Sequence, residues 1–170
     1  MTLNELNRAD ASAFVALLGG VFEHSPWVAE RAWAARPFAS RDALHAAMKH
    51  VVKAAGREAQ LALIREHPEL AGRESAEGTL TADSTSEQGR LGFSALAGAE
   101  VDRMRGLNRR YRARFGFPCI VALHLHASRD SVLAEFETRI GNDSEAEIAN
   151  ALEQICHIAR GRLDQLVDED

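Results

Sequence analysis

The sequence predicts an all-α fold, a single-domain helical bundle over residues 1–170 with one short extended segment near residues 117–123. Three observations predict it. Apolar residues recur at three- and four-residue spacing through most of the chain, the period of an amphipathic helix face. Capping residues, glycines and prolines bracket those stretches, as helix starts and stops require. Finally, Phe117-Pro118-Cys119-Ile120-Val121-Ala122-Leu123 is apolar and partly β-branched, and no partner strands appear elsewhere. A lone strand makes no sheet, and its backbone N–H and C=O groups need other partners, a bound ligand among them.

The elements follow in order. Leu3 to Leu6 suggests a helical turn, and Asp10 caps a helix carrying Phe14, Val15, Leu17 and Leu18, stopped by Gly19-Gly20. Ser25-Pro26 reads as a cap followed by a first-turn proline. The helix it opens runs through Trp27, Val28, Ala32 and Trp33 to Arg36-Pro37, with at least one tryptophan expected in the core. Ser40 opens a helix with Leu44, Ala47, Met48, Val51 and Val52 on one side. After Gly56 a further helix spans Arg57 to Arg65, with Leu61 and Ile64 turned inward. Ala71 to Ala82 lacks periodicity and reads as a surface loop. A long helix is then expected from Glu87 to about Phe115, stopped by Gly116, followed by one from Ser128 to Ile140. Ser144-x-x-Glu147 is expected to cap the last helix, through Ile148, Leu152, Ile155, Ile158, Leu163 and Leu166.

Composition narrows the function classes. Hydrophobic residues make up 46% and charged residues 26%, ordinary for a globular protein. A net charge of −5 argues against wholesale nucleic-acid binding. No apolar run reaches the length of a membrane span. Cys119 and Cys156 form no CxxC, and the N-terminal residues lack the layout of a signal peptide. A cytoplasmic protein is the expectation.

Two segments could carry chemistry. In Glu66-His67-Pro68-Glu69-Leu70-Ala71-Gly72, the proline ring pushes His67 out of the α region, towards a helix end or loop where it can face a cavity. In Ser84-Thr85-Ser86-Glu87-Gln88, Ser84 and Glu87 fit a capping box, and Thr85 with Gln88 repeats the spacing. Such a helix start also offers unpaired N–H groups to an anion. Each segment alone reads more simply as a helix stop and a helix cap. Together they supply an imidazole and a carboxylate, which is acid–base equipment if the fold joins them.

Other candidates are weaker. His124-x-His126 and the pair His45 and His50 lack metal-ligand spacing, so no metal is expected. Arg103, Arg105, Arg109, Arg110, Arg112 and Arg114 read as a solvated helix face. Arg162 is a candidate guanidinium for a carboxylate or ureido group, against the plainer reading of an exposed helical arginine. Cys119 needs an activating base to be a nucleophile, and its apolar run favours simple packing.

The two focal segments resemble OHCU decarboxylase when joined to Leu107-Asn108-Arg109-Arg110-Tyr111-Arg112-Ala113-Arg114-Phe115-Gly116-Phe117-Pro118. The likeness extends to Ser25-Pro26-Trp27 and to Ile158-Ala159-Arg160-Gly161-Arg162-Leu163, covering nearly the whole chain in the family's order. This family decarboxylates 2-oxo-4-hydroxy-4-carboxy-5-ureidoimidazoline (OHCU) in urate breakdown. The resemblance implies a cofactor-independent enzyme, usually a homodimer, that yields (S)-allantoin. It places His67 as the catalytic acid, and Pro68, Ser84, Thr85, Ser86, Glu87, Gln88, Cys119, Ile120, Val121, Ala122 and Leu123 in the substrate-binding segments. Arg162 matches an arginine of the terminal motif, with Arg160 two residues away as the alternative. The chain departs from the family after Val121, where Leu123-His124-Leu125-His126 stands in place of a basic residue and a glycine.

On that resemblance, His67 delivers a proton and Glu87 orients its ring and accepts ureido N–H groups. Ser84 and Gln88 hold the polar ring edges, Arg162 the carboxylate or a carbonyl, and the backbone of Ile120 to Leu123 lines the other wall. Two other readings use the same residues: a hydrolase or tautomerase of cyclic ureides, and a non-catalytic module binding a ureide-like ligand or a protein. Acceleration of CO2 release from fresh OHCU separates them.

Overall fold

The computed structural model describes residues 1–169. Among these residues there is no strand, and an isolated parallel bridge pairs Thr2 with Asp168. The chain divides into two compact units, Met1–Glu66 with the chain from Cys156 onward, and His67–Ile155.

The first unit contains α1 (Leu3–Arg8), α2 (Ala11–Leu18), α3 (Trp27–Ala32), α4 (Arg41–Ala54) and α5 (Arg57–Arg65). Thr2, Asp10 and Ser40 cap α1, α2 and α4 with side-chain oxygens accepting first-turn N–H groups. Leu44, Met48 and Val52, one turn apart on α4, are fully buried, each contributing about 1.5–3 kcal/mol by leaving water. Helix α3 packs on both α2 and α4. It starts one residue later than expected: Pro26 itself is the cap residue, and Ser25 makes no cap bond. Neither tryptophan is fully buried; Arg31 lies over the Trp27 ring at 4.9 Å and Arg36 over Trp33 at 4.1 Å. In α5 the inward pair is Leu63 with Ile64, and Leu61 is half-buried.

The second unit holds α6 (Arg73–Glu77), α7 (Ala82–Arg90), α8 (Ala99–Phe115), α9 (Arg129–Ile140) and the first half of α10 (Ser144–Leu166). Three expectations are corrected here. The stretch from Ala71 to Ala82 is not all loop, because α6 forms inside it. The long helix expected from Glu87 to Phe115 is broken into α7, a 3-10 turn at Phe93–Ala95, and α8. Gly98 takes φ 55° and ψ −127° at the break, a backbone region that a Cβ all but forbids. Finally, Asp143 caps α10 through the Ala146 N–H at 2.8 Å, which leaves Glu147 free to turn inward.

Met104, Leu107, Asn108 and Tyr111 form the buried stripe of α8. The Tyr111 ring packs with Phe115, Phe117 and Phe136 at centroid distances of 4.6, 6.0 and 5.5 Å. The six arginines read as a solvated face are all exposed on α8. The expected extended segment runs through residues 117–122 and ends in a 3-10 turn, Leu123–Leu125.

Candidate functional site

Helix α5 stops at Arg65, and His67 stands in the loop beyond it, 6% exposed. Pro68 explains the stop, since the residue before proline is excluded from helical geometry. Two features shape the loop after it. Ala71 takes φ 47°, which costs a residue with a Cβ on the order of 1–2 kcal/mol. At Gly72 an added Cβ would lie 2.6 Å from the Glu69 Cβ, so only glycine fits.

Side chains of α7 and α8 hold this loop residue by residue. Gln88 Nε2 donates to the Glu69 carbonyl at 3.3 Å, and Gln88 Oε1 accepts the Ala71 N–H at 2.9 Å. Asn108 Nδ2 donates to the Leu70 carbonyl at 3.0 Å. Arg112, one turn further along α8, reaches the Glu69 carboxylate at 2.8 Å. Three consecutive residues after His67-Pro68 are thus fixed from outside the loop. A buried carboxamide using both ends supplies direction as well as energy, because leaving either backbone group unpaired costs about 1–3 kcal/mol.

Helix α7 begins at Ala82, with Thr81 as its cap; Thr81 Oγ1 accepts the Ser84 N–H at 3.2 Å. The expected Ser84–Glu87 capping box is therefore not formed. Ser84 sits a turn inside the helix, and its side chain is released from the capping role. Ser84 and Gln88, four residues apart, are buried on one face with Glu87 half-buried beside them. Thr85 and Ser86 are exposed on the other side, and the Thr85 hydroxyl donates to the Thr81 carbonyl at 2.8 Å.

The Cys119–Leu123 stretch is buried throughout. Backbone groups that the sequence left open to a ligand find protein partners here. The Ile120 carbonyl accepts from Arg139 Nη1 at 2.7 Å, and the Ala122 N–H donates to Gln154 Oε1 at 2.7 Å. Arg90, from the end of α7, donates to the Leu123 carbonyl and to the His126 carbonyl at 3.0 Å. Helix α7 is therefore tied to both irregular segments, to the loop after His67 through Gln88 and to the 119–125 stretch through Arg90.

Behind Ile120 lies a buried polar cluster. Arg139 Nε is 3.1 Å from Glu147 Oε2, and Tyr111 donates to the same oxygen. Asn142 and Asn150 each donate to Glu147 Oε1 at 2.8 Å. Burial works against the charged Glu147, but these donors together with Arg139 outweigh it and hold its carboxyl below the usual glutamate value. Burial pushes the Cys119 thiol up to about 12, so it stays protonated at neutral pH and packs as a small apolar group.

Arg162, in the first unit, is 4% exposed and pairs with the buried Glu23 at 2.8 Å, with the Gly20 carbonyl at 3.3 Å. Arg160 is spent on the surface, bonded to Asp42 and to Asp164. His126 is 3.0 Å from Glu135 and 2.9 Å from the Ser131 hydroxyl, while His124 is exposed. Among the described residues no three His, Cys, Asp or Glu side chains converge as metal ligands.

Three residues take roles the sequence does not announce: Arg112, which reads there as part of a solvated face, Glu147, which reads as a helix cap, and Asn108. Asn108 left a signal: it interrupts the inward stripe of Met104, Leu107 and Tyr111 with a poor helix former, and a polar residue there needs a partner.

The candidate site of this all-α protein is thus an irregular loop that carries a buried histidine and is clamped to the helix bearing Ser84 and Glu87. Residues 7–164 match the model of the OHCU decarboxylase family, and the chain belongs to that family. It is similar to the 2-oxo-4-hydroxy-4-carboxy-5-ureidoimidazoline decarboxylase of Haloferax volcanii, 40% identical over 163 residues, covering 96% of this chain and 94% of that one. It is also 39% identical over 168 residues to the uric acid degradation bifunctional protein PucL of Bacillus subtilis, covering 99% of this chain and 33% of that longer protein. Among solved structures, an (S)-allantoin synthase aligns with a TM-score of 0.75 at 30% identity, covering 99% of this chain; the chain spans 54% of that structure.

Proposed function

We propose that this protein decarboxylates OHCU to (S)-allantoin and CO2 in urate degradation, with His67 as the proton donor. The observation that carries the reading is the clamp that holds the His67 loop against α7, the helix that bears Ser84 and Glu87. Family membership supports the substrate, and a family match spanning residues 7–164 supports reading the chain as one functional domain.

The reaction needs little from the protein beyond placement. The substrate's imidazoline ring is electron-poor next to its carboxylate, so the bond to CO2 breaks with its electron pair moving into the ring. The site must keep that bond perpendicular to the ring π-system. His67 then delivers one proton to one face of the carbanionic carbon, and solvent reprotonates the imidazole. Glu87 orients the imidazole and accepts ureido N–H groups. Ser84 contacts the ring edge, Pro68 and the Cys119–Leu123 stretch form walls, and Arg162 meets the carboxylate or a carbonyl. Gln88, whose carboxamide engages the loop at both ends, works mainly by positioning His67, with a second donor hydrogen and lone pair left for substrate. Thr85 and Ser86 contribute through the helix backbone.

The working form is a cytoplasmic homodimer, as the family resemblance suggests. Two buried cysteines that form no disulfide suit a reducing compartment, and light scattering reads the mass directly. No helix among the described residues is long and apolar enough to cross a membrane. Activity is tested by generating OHCU in situ from urate and following circular dichroism, with chelator present throughout. The expected result is rapid appearance of a one-handed allantoin signal. Decay at the spontaneous rate to racemic product would overturn the assignment.

A further inference from the structure

Between α6 and α8 the second unit opens a cleft of about 430 Å³ that the proposed reaction does not use. Its charges do not balance. Arg73, Arg105, Arg109 and Arg112 line it against two carboxylates, Glu69 and Glu77. Glu77 takes Arg73 at 2.8 Å and Glu69 takes Arg112 at 2.8 Å. Arg105 and Arg109, one turn apart on α8, are left with no hydrogen-bond or ion-pair partner. The cleft therefore carries two uncompensated positive charges on a chain whose net charge is −5.

A second observation is independent of charge. Asn108 lines the same cleft and is 6% exposed; its Nδ2 is spent on the Leu70 carbonyl, while its Oδ1 is buried with no hydrogen-bond partner. A buried acceptor left open is uncommon enough to call for a donor. The volume is that of a small-molecule site and exceeds what a single inorganic anion fills.

We propose that this cleft binds a small dianionic oxyacid that also carries a hydroxyl group. Its oxyanions lie between the Arg105 and Arg109 guanidinium groups, whose planar donor forks match carboxylate and phosphate oxygens. Its hydroxyl donates to Asn108 Oδ1. A hydroxydicarboxylate and the phosphate monoester of a small polyol share this chemistry.

Calorimetric titration of the full chain at low salt tests the proposal, with malate, succinate and glycerol 3-phosphate as probes and sodium chloride as the control. Saturable one-site binding of malate or glycerol 3-phosphate is expected, the tighter of the two naming the source of the anion. Succinate, which lacks the hydroxyl, should bind about threefold or more weaker than malate, the loss of one hydrogen bond. Arg105→Ala with Arg109→Ala should weaken binding at least about tenfold, since two charge-assisted contacts are removed. Alanine on an exposed helix face favours the helix, so the fold survives that change. Arg103→Ala, also on α8 but paired with Glu137, should leave affinity unchanged. Absence of saturation by every probe would overturn the proposal. So would equal weakening by Arg103→Ala, which would mean attraction to the basic helix face alone.

Discussion

The loop from His67 to Gly72 and the segment from Phe117 to Leu123 are both irregular, and both have backbone groups satisfied by side chains, yet the means differ. Neutral carboxamides of Gln88 and Asn108 hold the first. Charged groups hold much of the second: Arg139, backed by the buried Glu147, and Arg90. A carboxamide fixes direction at modest cost and can be exchanged with small effect on the rest of the unit. A buried ion pair is far more expensive to break, because removing one partner strands the other. The segment bearing the proposed acid is thus tuned for position, and the segment forming the wall is tied to the stability of its unit.

The largest effect expected from breaking this contrast is on chemistry alone. His67→Asn should lower kcat by about 10²–10⁴-fold, the usual worth of a positioned acid, with an unchanged far-ultraviolet circular dichroism spectrum. Full activity in that folded variant would remove His67 from the mechanism. On the other side, Glu147→Gln should destabilise the fold by about 3 kcal/mol, the low end for a broken buried pair, since Arg139 loses its fully buried partner and keeps only Glu135 at 3.1 Å; urea unfolding measures it.

The same carboxylate sets an acid limit. Its folded pKa lies below 4.5, the unperturbed value, so its contribution to stability is complete above that pH and is lost as pH falls through the folded value. Stability profiles between neutrality and strong acid should therefore converge for the native chain and Glu147→Gln at the acid end. A constant gap between them would show that Glu147 titrates alike in the folded and unfolded chain.

A subtler break is Gln88→Ala. It frees the Glu69 and Ala71 backbone groups, and loss of placement of this kind costs roughly 10²-fold in rate. It should fall on kcat more than on KM, and cost stability by only about 1–3 kcal/mol. An equal loss in KM alone would instead make Gln88 a substrate ligand. The smallest effect belongs to Ala71→Gly, which relieves the φ of 47° and should raise stability by about 0.5–1 kcal/mol while loosening the loop.

Much of this architecture was determined by local sequence. Asp10, Ser40 and Ser128 cap their helices where the pattern put them, and Pro68 alone is enough to end α5 and expose His67 to the loop. The apolar periodicity of α4 and the lack of partners for residues 117–123 were legible for the same reason: they depend on backbone sterics and on neighbours a turn away. Tertiary structure decided the rest. Thr81 rather than Ser84 caps α7, its Oγ1 accepting the Ser84 N–H, because alternative caps differ by only about 1 kcal/mol and tertiary packing chooses between them. The long periodic run from Glu87 to Phe115 could not remain one helix once Gly98 took a conformation outside it. The clamps on the loop and the wall join residues 17 to 43 positions apart, such as Ala71 with Gln88 and Glu69 with Arg112. No local pattern specifies such pairs, since a hydrogen bond between distant residues exists only after packing has set their distance and direction.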